Sequence, residues 1–177
     1  MLIQKHLNLL TNPPPPQQGL GLSLTLFKGT SSLAPYMGIA QGKNLLALGF
    51  MGTKFSEEAL RHDLCHRPAW RRATFQESSL KLEEIETLEA WGTPFQIKVW
   101  KTLYEQPPHT LTTYKEIGEK IGIFRGYQAI GQAVSRNPIS FFIPCHLVIK
   151  TSGDVGEYYW GKELKEKLLH SLPQSVL

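Results

Sequence analysis

The chain has 177 residues, 41% of them hydrophobic and 19% charged, proportions that support a packed core and exclude wholesale disorder. A formal charge of +4 and a pI near 9.1 are compatible with nucleic acid but do not require it. Two cysteines, Cys65 and Cys145, cannot build a disulfide scaffold, and no apolar run approaches the roughly 20 residues that cross a bilayer. With nothing resembling a secretory signal, a reducing cytosol is the expected compartment.

Residues 1–19 end in Asn12-Pro13-Pro14-Pro15-Pro16-Gln17-Gln18-Gly19, which predicts an extended, stiff leader or connector. Residues 20–90 read as a small α/β domain. Leu20–Phe27 is β-prone, and Tyr36–Gln41 and Leu45–Phe50 form a second strand pair around Gly42-Lys43-Asn44. Ser56, followed by Glu57 and Glu58, caps a helix reaching about Leu64. His62, Cys65 and His66 do not meet a structural zinc spacing, so this stretch reads as the end of a surface helix and no metal is expected. The acidic run Glu83–Glu89 reads as a solvated crossing between the two halves.

Residues 91–177 are mostly helical. Phe95, Val99 and Leu103 recur at four-residue spacing, with Trp100 alongside, in a helix that opens after Thr93-Pro94 and stops at Pro107-Pro108. Thr113 and Glu116 make a capping box for a helix from about Tyr114 to Ile121, closed by Gly122. Another helix follows from about Gly126 to Arg136. Two short helices around a Gly-containing turn form a helix-turn-helix, whose second helix can enter a DNA groove.

Chemistry concentrates at Ile143-Pro144-Cys145-His146-Leu147-Val148. The thiolate is the nucleophilic form of cysteine, and a neighbouring imidazole can take its proton. If residues 145 and 146 were both extended, their side chains would point to opposite faces, so contact between them requires a bridging water or a local turn. By composition alone, a buried structural role is the commoner fate of a lone cysteine such as Cys145 among Ile, Phe and Val.

Ordered motifs over some eighty residues resemble the O6-alkylguanine-DNA alkyltransferase family. Gly92-Thr93-Pro94-Phe95-Gln96-Ile97-Lys98-Val99-Trp100 is similar to its Gly-Thr-x-Phe-Gln-x-x-Val-Trp. Thr112-Thr113-Tyr114, Asn137-Pro138 and Pro144-Cys145-His146-x-Val148 follow, then Gly153, Gly156, Tyr158, Trp160-Gly161, Lys165 and Leu168-Leu169. The resemblance implies an α+β fold, with a small ribonuclease-H-like amino-terminal domain packed on a helical domain carrying the helix-turn-helix. It implies a monomer acting on double-stranded DNA, cytoplasmic, and nucleoid-associated or nuclear when on DNA, with no membrane and no cofactor.

In the implied reaction, a guanine bearing an O6-alkyl group is flipped out of the duplex and Cys145 takes that group once, irreversibly. His146 deprotonates Cys145 through a water, Tyr114 supplies a hydrogen bond or proton to the departing guanine, and Asn137 fixes the turn before the nucleophile. The base pocket falls to Val134, Val148, Val155, Gly156, Tyr158, Tyr159 and Trp160. DNA contact falls to Thr113, Lys115, Arg125, Tyr127, Gln128, Ala129 and Arg136, with Lys120 as a further phosphate partner. Gly126, Ala129, Gly131 and Ala133 give the recognition helix a slender profile.

Three positions depart from the family pattern. Leu147 replaces an arginine after the Cys-His pair, Gln128 replaces the arginine that fills the flipped base's place, and Leu172 replaces a glutamate that holds the histidine. The expected consequence is a less activated thiol. Bulky Tyr159 and Trp160 predict easier transfer of methyl than of benzyl. Two other readings compete: a non-catalytic module that binds alkylated DNA, and a cysteine hydrolase, which lacks an orienting Asp or Asn motif and an evident oxyanion hole.

Overall fold

Alternating apolar side chains fold the amino-terminal half into a six-stranded mixed sheet in the computed structural model, which describes residues 5–11, 22–67, 70 and 73–173. The strands are β1 (His6–Leu10), β2 (Ser23–Thr30), β3 (Pro35–Gln41), β4 (Asn44–Phe50), β5 (Thr74–Ser78) and β6 (Thr87–Trp91), in the order β1-β6-β4-β3-β2-β5. β2, β3 and β4 form an antiparallel meander; the remaining pairings are parallel. The β3–β4 turn places Gly42 at φ 59°, where a residue without Cβ pays no steric penalty. Both strands of that hairpin lie at the expected positions and carry the centre of the core, with Ile39, Ala40, Leu45, Ala47 and Leu48 fully buried.

The helix α1 (Glu57–Cys65) starts where expected, since the Ser56 hydroxyl accepts from the Ala59 amide at 3.2 Å. Leu60 and Leu64 bury its inner face against β3 and β4.

Three strands differ from the sequence reading. His6–Leu10, read as part of a leader, pairs in register with Thr87–Trp91 and belongs to the sheet. The Pro-rich stretch Asn12–Gly19 lies outside the described residues, as do Leu20 and Gly21 at the start of the predicted strand. The acidic run Glu83–Glu89 is partly a crossing, with a 3-10 turn at Leu82–Glu84, but its end enters β6. There Leu88 and Ala90 are fully buried while Thr87, Glu89 and Trp91 alternate outward, the period of two that marks a half-buried strand. β5 is an edge strand with mostly exposed side chains, so it carries little apolar signal.

The carboxy-terminal half holds α2 (Pro94–Tyr104), α3 (Tyr114–Lys120), α4 (Tyr127–Ser135) and α5 (Lys162–His170), with a two-strand pairing of β7 (Thr112–Thr113) and β8 (Val148–Ile149). Capping boxes open two helices as expected: Thr93 with Gln96 on α2, and Thr113 with Glu116 on α3. Val99, Trp100 and Leu103 are buried on α2, and the Trp100 indole donates to the Ala133 carbonyl at 2.8 Å. That contact buries Ala133, which therefore drops out of the slender outer face expected of α4.

The two halves meet along β4. The Leu48 amide donates to the Pro138 carbonyl at 2.9 Å, and the Ser140 amide donates back to the Leu48 carbonyl at 3.3 Å. Beside this junction, a Cβ on Gly49 would lie 2.5 Å from the Trp160 ring, so the close approach requires glycine. Among the described residues, no helix is long and apolar enough to cross a membrane.

Candidate active site

Cys145 opens a 3-10 turn, Cys145–Leu147, rather than an extended strand. The backbone there is a local turn, but the hydrogen-bond partners of Cys145 Sγ are Asn137 and Tyr158, and His146 does not line the cleft above the thiol. Pro144 precedes the turn, and the Cys145 amide donates to the Ile143 carbonyl at 2.7 Å.

Asn137 organises this turn. Its side-chain amide nitrogen donates to the Ile143 carbonyl at 2.7 Å and lies 3.1 Å from Cys145 Sγ, while its oxygen accepts from the Ile139 amide at 3.0 Å. The residue is buried with all three interactions made, so the segment from α4 to the nucleophile is held by one side chain. The parallel pairing of Thr112 with Val148 and Thr113 with Ile149 brings the start of α3, and hence Tyr114, to the same place. Lys165 on α5 secures the far side: its buried ammonium donates to the carbonyls of Val148 at 2.6 Å and Glu157 at 3.3 Å.

Above the thiol lies a cleft of about 360 Å³. Of the residues expected in catalysis, Tyr114, Asn137 and Cys145 line it; of those expected in the base pocket, Val134, Tyr158, Tyr159 and Trp160 line it. Val148, Val155 and Gly156 do not. The Val148 carbonyl is engaged by Lys165, and Val155 packs toward an apolar cluster of Leu147, Leu169 and Leu172. Lys54, Gly131, Ser135, Ser140 and Glu157 complete the lining. Ser140 was marked in the sequence by being the one hydroxyl in the Ile139–Ile143 run. Lys54 comes from the other half of the chain, where no local pattern announces it.

His146 is buried, stacked on Phe141 with ring centroids 5.7 Å apart, and its Nδ1 has no hydrogen-bond partner among the described residues. Burial, then the Lys165 charge and His109, pull its pKa down to about 4. The imidazole is therefore neutral at pH 7. Burial pushes the Cys145 thiol above its ordinary value, and hydrogen bonds from Asn137, Tyr158 and Ser140 with the Lys165 charge offset only part of that rise. Lys165 itself is pulled down to about 8 by burial, with Cys145 and Glu157 opposing. Tyr114 is raised by burial and by the Cys145 and Glu157 charges, so it remains a protonated donor at neutral pH.

The residues expected to meet DNA are mostly exposed. Arg125, Tyr127, Gln128 and Ala129 are exposed along the turn before α4 and its first turn, Lys115 and Arg136 are exposed, and Thr113 is half-buried. Among the described residues, no group of three His, Cys, Asp or Glu side chains is placed to hold a metal ion.

A mixed α/β fold with one buried, amide-held cysteine at the floor of a cleft defines a protein whose chemistry runs through a single thiol. Comparison with known proteins narrows the class. The model of the family described as "6-O-methylguanine DNA methyltransferase, DNA binding domain" matches residues 94–171. A methylated-DNA--protein-cysteine methyltransferase of Methanosarcina barkeri is 38% identical over 143 residues, covering 78% of this chain and 90% of that one. One from Mycobacterium leprae is 40% identical over 90 residues, about half of each chain (51% and 54%). A crystal structure of Mycobacterium tuberculosis OGT in complex with DNA superposes with a TM-score of 0.66 at 26% identity, covering 82% of this chain and 91% of that one. The chain belongs to the methylated-DNA--protein-cysteine methyltransferase family.

Proposed function

We propose that the protein repairs DNA by moving the alkyl group of O6-alkylguanine onto Cys145 Sγ, once per molecule. The observation that carries this reading is the placement of Cys145 at the floor of a cleft, with Asn137 3.1 Å from its sulfur. In the reaction the sulfur attacks the O6-alkyl carbon, the carbon–sulfur bond forms and the carbon–oxygen bond breaks. The thiol proton passes through a water to His146, Tyr114 supplies a hydrogen bond or proton to the departing guanine, and the imidazolium proton restores the phenol, so thiol and alkylguanine become thioether and guanine. The His146 imidazole is neutral but its lowered pKa makes it a weak base, which fits the expected less activated thiol, while the protonated Tyr114 phenol can donate a hydrogen bond to the departing guanine. A thioether is not hydrolysed, so the acceptor is consumed.

Duplex DNA is the partner, and α3 with α4 acts as its helix-turn-helix. Ala129 and Gly131 allow close approach to the groove, and Lys115, Lys120, Arg125 and Arg136 meet phosphates. Thr113, Tyr127 and Gln128 complete that surface, Gln128 standing where the base leaves the stack. The cleft receives the flipped guanine between Val134, Tyr158, Tyr159 and Trp160. The three-strand meander with parallel outer strands supports a ribonuclease-H-like reading of the sheet. We divide the chain near residue 90 into a sheet domain, which takes in His6–Leu10, and an alkyl-acceptor domain. Leu147 and Leu172 do not favour a binding-only module, because the thiol, Asn137 and Tyr114 still converge on one cleft.

Titration with excess duplex carrying O6-methylguanine labelled in the methyl group tests this reading. Transfer is expected to saturate at one label per protein and to vanish in Cys145→Ser. Continued turnover, or tight binding with no label transferred, would overturn it.

A further inference from the structure

Tyr159 separates two spaces. It lines the Cys145 cleft of about 360 Å³ and also a neighbouring cavity of about 900 Å³, whose walls include Leu46, Trp70 and Trp91. Ser135 and Asn137 are the other residues common to both, but Asn137 is locked by three hydrogen bonds and Ser135 is small. Among the described residues common to both spaces, Tyr159 thus supplies the one large side chain not locked by the Asn137 network.

Its position is set from the other half of the chain. The Tyr159 hydroxyl donates to Asp63 Oδ1 on α1 at 2.5 Å, and the other Asp63 oxygen is held by Arg67 at 3.0 Å. The ring packs on Phe55 and Trp160 at centroid distances of 5.6 and 4.8 Å, with the Lys54 ammonium 5.0 Å from it. These ring contacts are apolar or diffuse and tolerate small reorientations of the side chain. The hydrogen bond to a carboxylate is directional and does not.

We propose that Asp63 is a positioning residue that sets the size limit for the transferred group, by latching Tyr159 across the passage from the Cys145 cleft to the larger cavity. The proposal rests on the alkyl-transfer reading above and adds what controls its substrate range. With the latch closed, a methyl group fits over Cys145 and a bulkier substituent meets the tyrosine ring. With the hydroxyl released, the ring withdraws and a benzyl-sized group extends into the larger cavity, toward the wall formed by the edge-packed Trp70 and Trp91.

The test compares rates of transfer from duplexes carrying O6-benzylguanine and O6-methylguanine, taken as a ratio. Both substrates meet the same molecules, so the ratio is unaffected by the fraction of protein that folds. Asp63→Ala and Tyr159→Phe are each expected to raise the benzyl-to-methyl ratio about tenfold, since each removes a charge-assisted hydrogen bond. The double variant should do no more than either single one, because both break the same contact. Asp63→Asn, which keeps an acceptor oxygen but not the charge, should fall between Asp63→Ala and wild type. A ratio that moves less than twofold in both single variants, or an Asp63→Asn that behaves like Asp63→Ala, overturns the latch while leaving methyl transfer standing. A wild-type protein that takes no methyl group at all sinks the transfer reading, and the latch with it.

Discussion

The Asn137 side-chain amide lies 3.1 Å from Cys145 Sγ while the same group holds the Ile143 carbonyl at 2.7 Å. One residue therefore shapes the turn and supplies a donor to the developing thiolate. Asn137→Asp removes both donors and sets a negative charge against the sulfur, which raises the thiol further. The rate of methyl transfer is expected to fall on the order of a hundredfold or more. Asn137→Ala leaves the buried Ile139 amide unpaired and the Ile143 carbonyl with only the Cys145 amide, at about 1–3 kcal/mol. Stopped-flow transfer assays and chemical unfolding separate the two effects.

Burial of His146 makes stability depend on pH. Its folded pKa of about 4 lies below the unfolded value near 6.5, so the fold favours the neutral ring. The contribution is present above pH 6.5 and is lost as the pH falls toward 4, on the order of 3 kcal/mol in all. Unfolding in urea at pH 7 and pH 4.5 should show this loss, and His146→Phe should lose correspondingly less over the same interval. Because the Cys145 thiol is raised, the transfer rate should climb with pH above 7.

Leu147 and Leu172 share a small apolar cluster with Leu169, so the positions expected to carry arginine and glutamate are filled by hydrocarbon together. A lone Leu172→Glu introduces an unpaired charge there and is expected to cost about 3–5 kcal/mol. Adding Leu147→Arg supplies the partner and should recover part of that loss. Thermal unfolding of the two single variants and the double variant gives the coupling.

Arg125 and Arg136 are exposed and form no ion pair among the described residues, whereas Lys115 lies 3.9 Å from Glu119. Arg125→Ala and Arg136→Ala should each weaken duplex binding uniformly across sequences. Each is also expected to reduce the slope of log affinity against log salt by about 1, as measured by fluorescence anisotropy.

Much of this was legible in the sequence because the signals are local. Capping boxes at Thr93 and Thr113 place α2 and α3, and the β3–β4 hairpin follows from its turn and apolar strands. The Cys145 motif with Asn137 and Tyr114 located the centre of the cleft. What was missed depends on distant partners. β1 and β5 are short edge strands that become strands only by pairing with β6 and β2. Glu89 hid β6 inside an acidic run, although its carboxylate accepts from Asn44 at 2.8 Å. Lys54 and Asp63 reach the site only through the packing of the halves, and the loss of Ala133 from the outer face follows from Trp100 donating across to it.

The most direct measurement is the mass of the Cys145 peptide after reaction with a duplex containing O6-methylguanine. The peptide should gain one methyl group on sulfur, with unmodified guanine left in the DNA. A fully bound duplex whose guanine stays methylated, with Cys145 unmodified, would contradict the account.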